Sequence, residues 1–526
     1  MRFFCAAFAC ILITCLCSAQ PTFSRSELPT QLSNPWEMTY GPDGYLWITE
    51  NGGKVSRVDP VSGAKTVVYT APDYFAGSPL EANPVCTSFQ IGKGTFGLAL
   101  HPDFMLPSLS YIYYVYSYNS GTVQAPATKL KVVRLTWDVI NNVASDPTDL
   151  ITMMPIGYDH FGGRLLATKQ NDICYLYLSI GDNGISETNA PNCYDPLESN
   201  PNYNAQDVNY KNGKIHRFNI DGTIPQDNPI SGNSFWTRGH RNPQGLMYNP
   251  LQDVLYDAEH GDRTDDEVNV LYKGMNYGWK WVRGVHYDNN YPGEWDYINN
   301  YVPHAQILND SLVQPLFSFC ASPQPTDPEY LNWCTVAPSD GIYYGSNAIP
   351  SWQNSLLVVS LKDGTSNDQA VYQFKLNADG KSMATPGPYV FFANDHALNG
   401  RLRDIAVSSD GSKIYLINNG GTNADKITVY TYLYTDVNEN DATAKTVKVF
   451  PNPGNGNYSL TINAQKTTKA SIVVYDITGR VVLGDNVSLK AGENLLPLTL
   501  ANATQGIYMV SITMGGVVYS QKVVVE

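Results

Sequence analysis

Two short stretches of this chain concentrate groups that can do chemistry. Residues 235–248 read FWTRGHRNPQGLMY, with Arg241, Asn242 and Gln244 within four positions of one another. Residues 256–279 read YDAEHGDRTDDEVNVLYKGMNYGW, with Glu259, Asp262, Asp265, Asp266 and Glu267 around Gly261. A guanidinium offers a planar fork of donors that suits an anion. Clustered carboxylates and carbonyls suit a hard cation such as calcium. One site offering both could hold an anionic ligand through a metal.

For the two stretches to meet, the chain between them must reverse. The apolar LMY and VLYDA flank the turn NPLQD, so a hairpin brings the cationic and the acidic loop to one end. Pro243 and Gly245 are expected to keep the first loop out of regular structure. The same pattern, strand, Pro/Asp/Gly/Asn turn, strand, recurs in residues 36–50, 96–118, 163–184, 245–261, 341–361 and 404–420. Six such hairpins with no long amphipathic helix predict an all-β fold, a six-bladed β-propeller over residues 28–434. Loops at one end of the blades then converge on a central channel, so residues far apart in sequence can share a site. His101, in LALHPDF, reads as a turn residue within a blade.

A polar linker follows at 435–445. Short alternating strands after it predict a small β-sandwich over 446–526. Residues 1–19, MRFFCAAFACILITCLCSA, have the charged start, apolar core and small-residue end of a signal peptide. An exported chain keeps Cys86, Cys174, Cys193, Cys320 and Cys334, an odd number, so one or two disulfides and at least one free thiol are expected. Cys320 and Cys334 flank a Pro-rich loop and are the first choice for a bridge. The net charge of −14 argues against a nucleic-acid partner. With only 16% charged residues, 36 tyrosines and 42 glycines, the composition is that of an all-β secreted protein.

GHRNPQG, the acidic loop ending DDE, and NYGW together resemble the soluble pyrroloquinoline-quinone (PQQ) glucose dehydrogenase family, which includes aldose and sorbosone dehydrogenases. The tail resembles the C-terminal sorting domain of the type IX secretion system, through FPNPGNG, YDITGR, GIY and the closing KVVV. The first resemblance implies roles for single residues. DHFGGRL presents His160 as the catalytic base, and Asp182, in IGDNG, orients it. Arg241 contacts the quinone and stabilises charge on it, beside Asn242. Lys362, Arg401 and Arg403 anchor the quinone's carboxylates, with Thr335 alongside. Asp159, Gln244, Tyr330 and Trp333 face the substrate. Gly261 and Asp262 hold a catalytic calcium through their carbonyls, and Glu267 and the backbone of Tyr277 hold a structural one.

The chain departs from the family at several points. Asp262 stands where a proline is usual and His260 where a glutamine is. Ile91, Gly92 and Lys93 replace a region with a pocket glutamine. The family's disulfide cysteine aligns near Asn332, so any bridge here is spaced differently. The resemblance implies a secreted quinoprotein that oxidises an aldose at its anomeric carbon to the lactone, passing electrons to an unnamed acceptor. It would reach the outside through secretion machinery that reads its tail. The alternatives are a non-catalytic surface propeller that binds glycan or protein, and a calcium-dependent lactonase.

Overall fold

The computed structural model describes residues 20–78, 92–157, 159–182, 184, 204–262, 264–287, 293–320, 332–362, 369–420, 423–433, 447–464, 466–476, 480–500, 503–514 and 517–526. Residues 1–19, which read as a signal peptide, Cys86, Cys193, Tyr330 and the expected linker 435–445 lie outside them. The chain divides into two units, one ending at Tyr432 and one starting at Leu433.

The first unit is a six-bladed β-propeller of four-stranded antiparallel sheets. Blade 1 is Met38–Tyr40, Leu46–Glu50, Lys54–Val58 and Lys65–Thr70; blade 2 is Thr95–Leu100, Tyr111–Asn119, Thr128–Asp138 and Val143–Met154. Blade 3 is Gly162–Gln170, Ile173–Ile180, Lys214–Asn219 and Phe235–Arg238; blade 4 is Asn242–Asn249, Val254–His260, Asp266–Leu271 and Phe317–Phe319. Blade 5 is Pro338–Tyr344, Ser355–Ser360, Val371–Lys375 and Tyr389–Phe391. Blade 6 takes Leu402–Val407, Lys413–Asn418 and Ile427–Leu433 from the end of the unit, and its outer strand, Thr22–Glu27, from the start. That strand precedes residue 28, so the boundary drawn from sequence is too late: pairing the two ends of the chain closes the ring.

Each expected hairpin supplies the two inner strands of a blade. Both faces of these strands are buried, because every blade is packed between two others. In Tyr111–Asn119, Tyr113 and Val115 join the core shared with blade 3, while Ile112, Tyr114 and Tyr116 join that shared with blade 1. Period-2 side-chain alternation therefore produces the unbroken run YIYYVYSY rather than apolar–polar alternation. Among the described residues the longest helix has six residues, Glu294–Asn299. Cys320 and Cys334 form a disulfide, with Cα atoms 5.4 Å apart, and Cys174 is a free thiol.

The second unit stacks a three-stranded sheet on a four-stranded one. Strand Asn457–Ala464 buries Tyr458, Leu460, Ile462 and Ala464 at every second position. These side chains share one core with Val474, Val510 and Ile512 of the other sheet.

Because Thr22–Glu27 closes the ring and the second unit has its own core, two truncations should behave differently. A chain ending near Thr435 should melt as the full-length propeller does. One that starts at residue 28 should melt lower in a circular-dichroism scan. Equal melting of the two would remove the closing role of the strand.

Candidate functional site

At the axis, where the innermost strands form a closed ring, the blades are joined by one cation. Arg164, on the first strand of blade 3, is fully buried. Its Nη1 lies 2.7 Å from both Glu37 and Asp404, and its Nε lies 3.2 Å from Asp340. Nε and Nη2 also donate to the carbonyls of Gln244 and Ser339, at 2.8 and 3.1 Å. Blades 1, 3, 4, 5 and 6 thus meet at one guanidinium, which also lies over the ring of Trp36. Burial pushes Glu37 and Asp340 well above the usual carboxylate range, and Arg164 opposes it. Removing one partner of a buried ion network leaves the rest uncompensated. Arg164→Met should therefore destabilise the propeller by about 3–5 kcal/mol, read as a lower urea midpoint; an unchanged midpoint would deny the network this role.

Above the axis opens a cleft of about 1110 Å³. Its walls come from the starts of first strands and the ends of second strands, which lie at one end of the blades. Blade 3 contributes Asp159 and His160, blade 4 Arg241, Asn242, Gln244, Gly261 and Asp262. Trp333, Thr335 and Lys362 come from blade 5, and Arg401 and Arg403 from blade 6. Asp182 stands behind His160. Glu267 and Tyr277 line a separate small cavity, which Arg241, His260 and Gly261 also reach.

The hairpin of blade 4 pairs Asn242 with His260 and Pro243 with Glu259, so the cationic and acidic stretches do share one end. They are not the loops that the sequence suggests. Asn242–Asn249 is strand from its first residue, and Pro243 and Gly245 are absorbed by a register shift between them. Inner strands of blades 2, 3, 5 and 6 shift near their starts too. Such bulges re-aim side chains at a strand end. Glu259, Asp266 and Glu267 are likewise strand residues, buried rather than solvated.

His160 is buried, and its Nδ1 is 2.7 Å from Asp182 Oδ1. Asp182 also accepts from the Gly184 N–H at 3.0 Å and, on Oδ2, from Trp279 Nε1 at 2.7 Å. A carboxylate that only accepts places the shared proton on Nδ1. Nε2 is left with a lone pair, 3.9 Å from the exposed Asp159 carboxylate. Trp279 was not singled out from sequence; NYGW marks it, but nothing local ties it to Asp182.

Positive charge gathers on the other side. Arg403 is buried, its Nη1 donates to Gln244 Oε1 at 3.0 Å, and its Nε has no hydrogen-bond partner. Burial, then Arg401 and Arg164, hold Arg403 well below the usual guanidinium range. His260 Nε2 is also without a hydrogen bond. Burial, then the charges of Arg241 and Arg403, push this imidazole far down. Lys362 donates to the carbonyls of Trp333 and Thr335. Arg401 donates to Asn419 at 2.6 Å and Arg241 to the His260 carbonyl at 3.3 Å. Gln244 is a splint as much as a wall: its amide donates to Asn242 Oδ1 at 2.8 Å while its oxygen accepts from Arg403.

The small cavity is acidic. Glu259 and Glu267 are paired across neighbouring strands, and both are raised by burial. For Glu267 the charge of Glu259 comes next. Like charges directly opposed on a sheet are destabilising. The Asp262 side chain is taken by Arg283, which leaves its backbone for other work.

Residues 32–427 match the model of the glucose/sorbosone dehydrogenase family, and residues 448–526 that of a secretion system C-terminal sorting domain. The chain is 29% identical over 441 residues to quinoprotein glucose dehydrogenase B of Acinetobacter calcoaceticus, covering 77% of this chain and 87% of the relative. It is 27% identical over 419 residues to the aldose sugar dehydrogenase YliI of Escherichia coli, covering 78% and 93%. The propeller superposes on the soluble aldose sugar dehydrogenase of Escherichia coli with a TM-score of 0.56 and 24% identity, covering 78% of this chain and 100% of that one. The PQQ-bound aldose sugar dehydrogenase of Streptomyces coelicolor gives a TM-score of 0.55 at 21% identity, with coverages of 79% and 99%. At these identities the superpositions speak for the fold.

Proposed function

The chain belongs to the glucose/sorbosone dehydrogenase family, and on that premise we propose that it is a secreted quinoprotein that oxidises an aldose at its anomeric carbon to the lactone, with PQQ and calcium as cofactors. The observation that carries this reading is the cleft's charge. Arg403 has a buried, unpaired Nε, and burial together with the guanidinium charges of Arg241, Arg403 and Arg401 depresses His260, opposite a histidine whose Nδ1 is committed to Asp182. A polycarboxylate fits that donor set, because charge-assisted hydrogen bonds would balance the guanidinium groups.

Bound PQQ supplies a carbonyl carbon that accepts hydride. The remaining roles fall to the chain. His160 Nε2 takes the anomeric hydroxyl proton. Asp182, steadied by Trp279 and Gly184, holds the tautomer and stabilises the imidazolium that results. Arg403, Arg401 and Lys362 hold the carboxylates, with Thr335 beside them. Arg241 and Asn242 present donors where negative charge grows, a preorganised field. Gly261 and Asp262 would hold the catalytic calcium through their carbonyls. Glu267 and Tyr277 would hold a second calcium in the acidic cavity. Asp159 and Trp333 face the sugar, and Gln244 braces Asn242 and Arg403. The tail would direct the chain through the type IX machinery to the outside or the cell surface, and the electron acceptor lies there.

Titrating apo-protein with the quinone, with and without calcium, should give a saturating absorbance change that is far tighter with the metal. The loaded protein should then reduce an artificial dye with at least one aldose. Saturating quinone and calcium that give neither a spectral change nor dye reduction with any sugar would sink the proposal and favour the surface-binding propeller.

A further inference from the structure

We propose that His240, Asp257 and Glu259 form a buried zinc site inside blade 4, distinct from the positions assigned to calcium. Asp257 and Glu259 lie two residues apart on the second strand and so project from the same face. His240 comes from the turn that enters the blade. Its Nδ1 lies 3.1 Å from Asp257 Oδ2 and 3.3 Å from Glu259 Oε1. The three donor atoms all fall within 4.8 Å of one another, and all three residues are buried, His240 and Asp257 completely. Ligands bonded at about 2.0–2.2 Å to one tetrahedral zinc lie roughly 3.3–3.6 Å apart, so a slight opening of the cluster would admit the ion.

A proton on His240, opposed by burial but favoured by Glu259 and Asp257, serves this cluster only in part. Both carboxylates face the same ring nitrogen, and a single N–H can point at only one. The other nitrogen, Nε2, is engaged by Thr237 Oγ1 at 2.9 Å. Neither oxygen of Asp257 accepts a hydrogen bond, although the residue is fully buried. Glu259 is better served, by the Arg241 N–H at 3.1 Å and Asn269 Nδ2 at 3.2 Å. Asp257 therefore has only the His240 ring, at 3.1 Å, and shares it with a second carboxylate. A buried carboxylate in that position needs a cation.

The propeller contains a useful contrast. Its other buried carboxylate trio, Glu37, Asp340 and Asp404, encloses the guanidinium of Arg164. There the guanidinium lies 2.7–3.2 Å from all three acids. Around His240 the chain supplies one imidazole for two acids. An imidazole ligand also selects against calcium, which takes oxygen donors, and for a borderline ion such as zinc. The site has no solvent-exposed ligand, so the ion would enter during folding and act structurally, pinning the turn that carries Arg241 to the second strand.

The test uses the full chain, expressed with added zinc and dialysed in the folded state against a calcium chelator. Elemental analysis should find about one zinc per chain, retained when calcium is lost. X-ray absorption at the zinc edge should show one imidazole nitrogen among oxygen ligands. Asp257→Ala should cut the zinc content at least tenfold; should that variant not fold, the absorption spectrum of the unaltered protein decides. Zinc below a tenth of an equivalent, a shell with oxygen ligands only, or undiminished zinc in folded Asp257→Ala would each overturn the proposal and leave a protonated histidine only. The dye assay is run in parallel, so a failed zinc site is not mistaken for a failed dehydrogenase.

Discussion

Replacing His160 by alanine is expected to lower kcat by about 10²–10⁴-fold, the usual worth of a positioned general base. The geometry says why the loss should fall on kcat. Nδ1 is committed to Asp182, and Asp182 is held from two further sides by Trp279 and Gly184. Nε2 is thus aimed with its lone pair outward, ready for a hydroxyl proton and for little else. The side chains proposed to hold the quinone line the cleft from blades 4, 5 and 6, so quinone affinity should be nearly unchanged. Steady-state kinetics with dye, beside a quinone titration of the same variant, separates the two effects. Unaltered turnover would remove His160 from the mechanism. An equal loss of quinone affinity would make it a cofactor contact instead.

Neutralising Arg403 should produce the largest loss of cofactor binding. A charge-assisted hydrogen bond contributes about 1.5–3 kcal/mol, so Arg403→Gln should weaken quinone binding roughly 10–100-fold. Glutamine is preferred to a charge reversal, which would add another carboxylate beside Asp404 and Asp340, already crowded around Arg164. It can also keep a hydrogen bond to Gln244 and so spare the splint. A titration by absorbance with calcium present measures the effect, and a matching thermal melt shows whether the fold is intact. Equal affinity in a folded variant would mean that Arg403 faces no anion, and its unpaired Nε would need another explanation.

Lys362 lines the cleft with its ammonium already engaged. Its ammonium donates to two carbonyls of the segment that carries Trp333 and Thr335. In this arrangement it fastens a wall of the cleft, and binding a carboxylate would mean sharing those donors.

The inner half of each blade is legible in the amino-acid sequence. Turn residues and paired apolar strands are local signals, and the hairpins they mark are the first two strands of all six sheets. The sequence also marked the two cysteines that form the described disulfide, and the motifs around His160, Arg241, Lys362 and Arg403 that the fold gathers into one cleft. Outer strands escaped notice because they are less buried and less regular. Val143–Met154 contains Pro147, is largely exposed or half-buried, and changes register repeatedly against its neighbour.

Tertiary structure alone decided the ring and what depends on it. Thr22–Glu27 completes a blade whose other strands lie about four hundred residues later, and no local periodicity encodes that partner. Trp279 reaches Asp182 across 97 positions, and the Met38 N–H reaches Asp404 across 366. Arg164 looked like part of the histidine motif and is the hub of the axis. Gln244 looked like a substrate contact and also braces two cofactor-side residues. His240 was passed over as part of GHRNPQG, yet the pleat of one strand brings two carboxylates onto its ring nitrogen. Sequence patterns report which face of a strand is apolar. Which distant acid meets which base depends on how six twisted sheets close into a ring, and that is settled only when the chain's two ends pair.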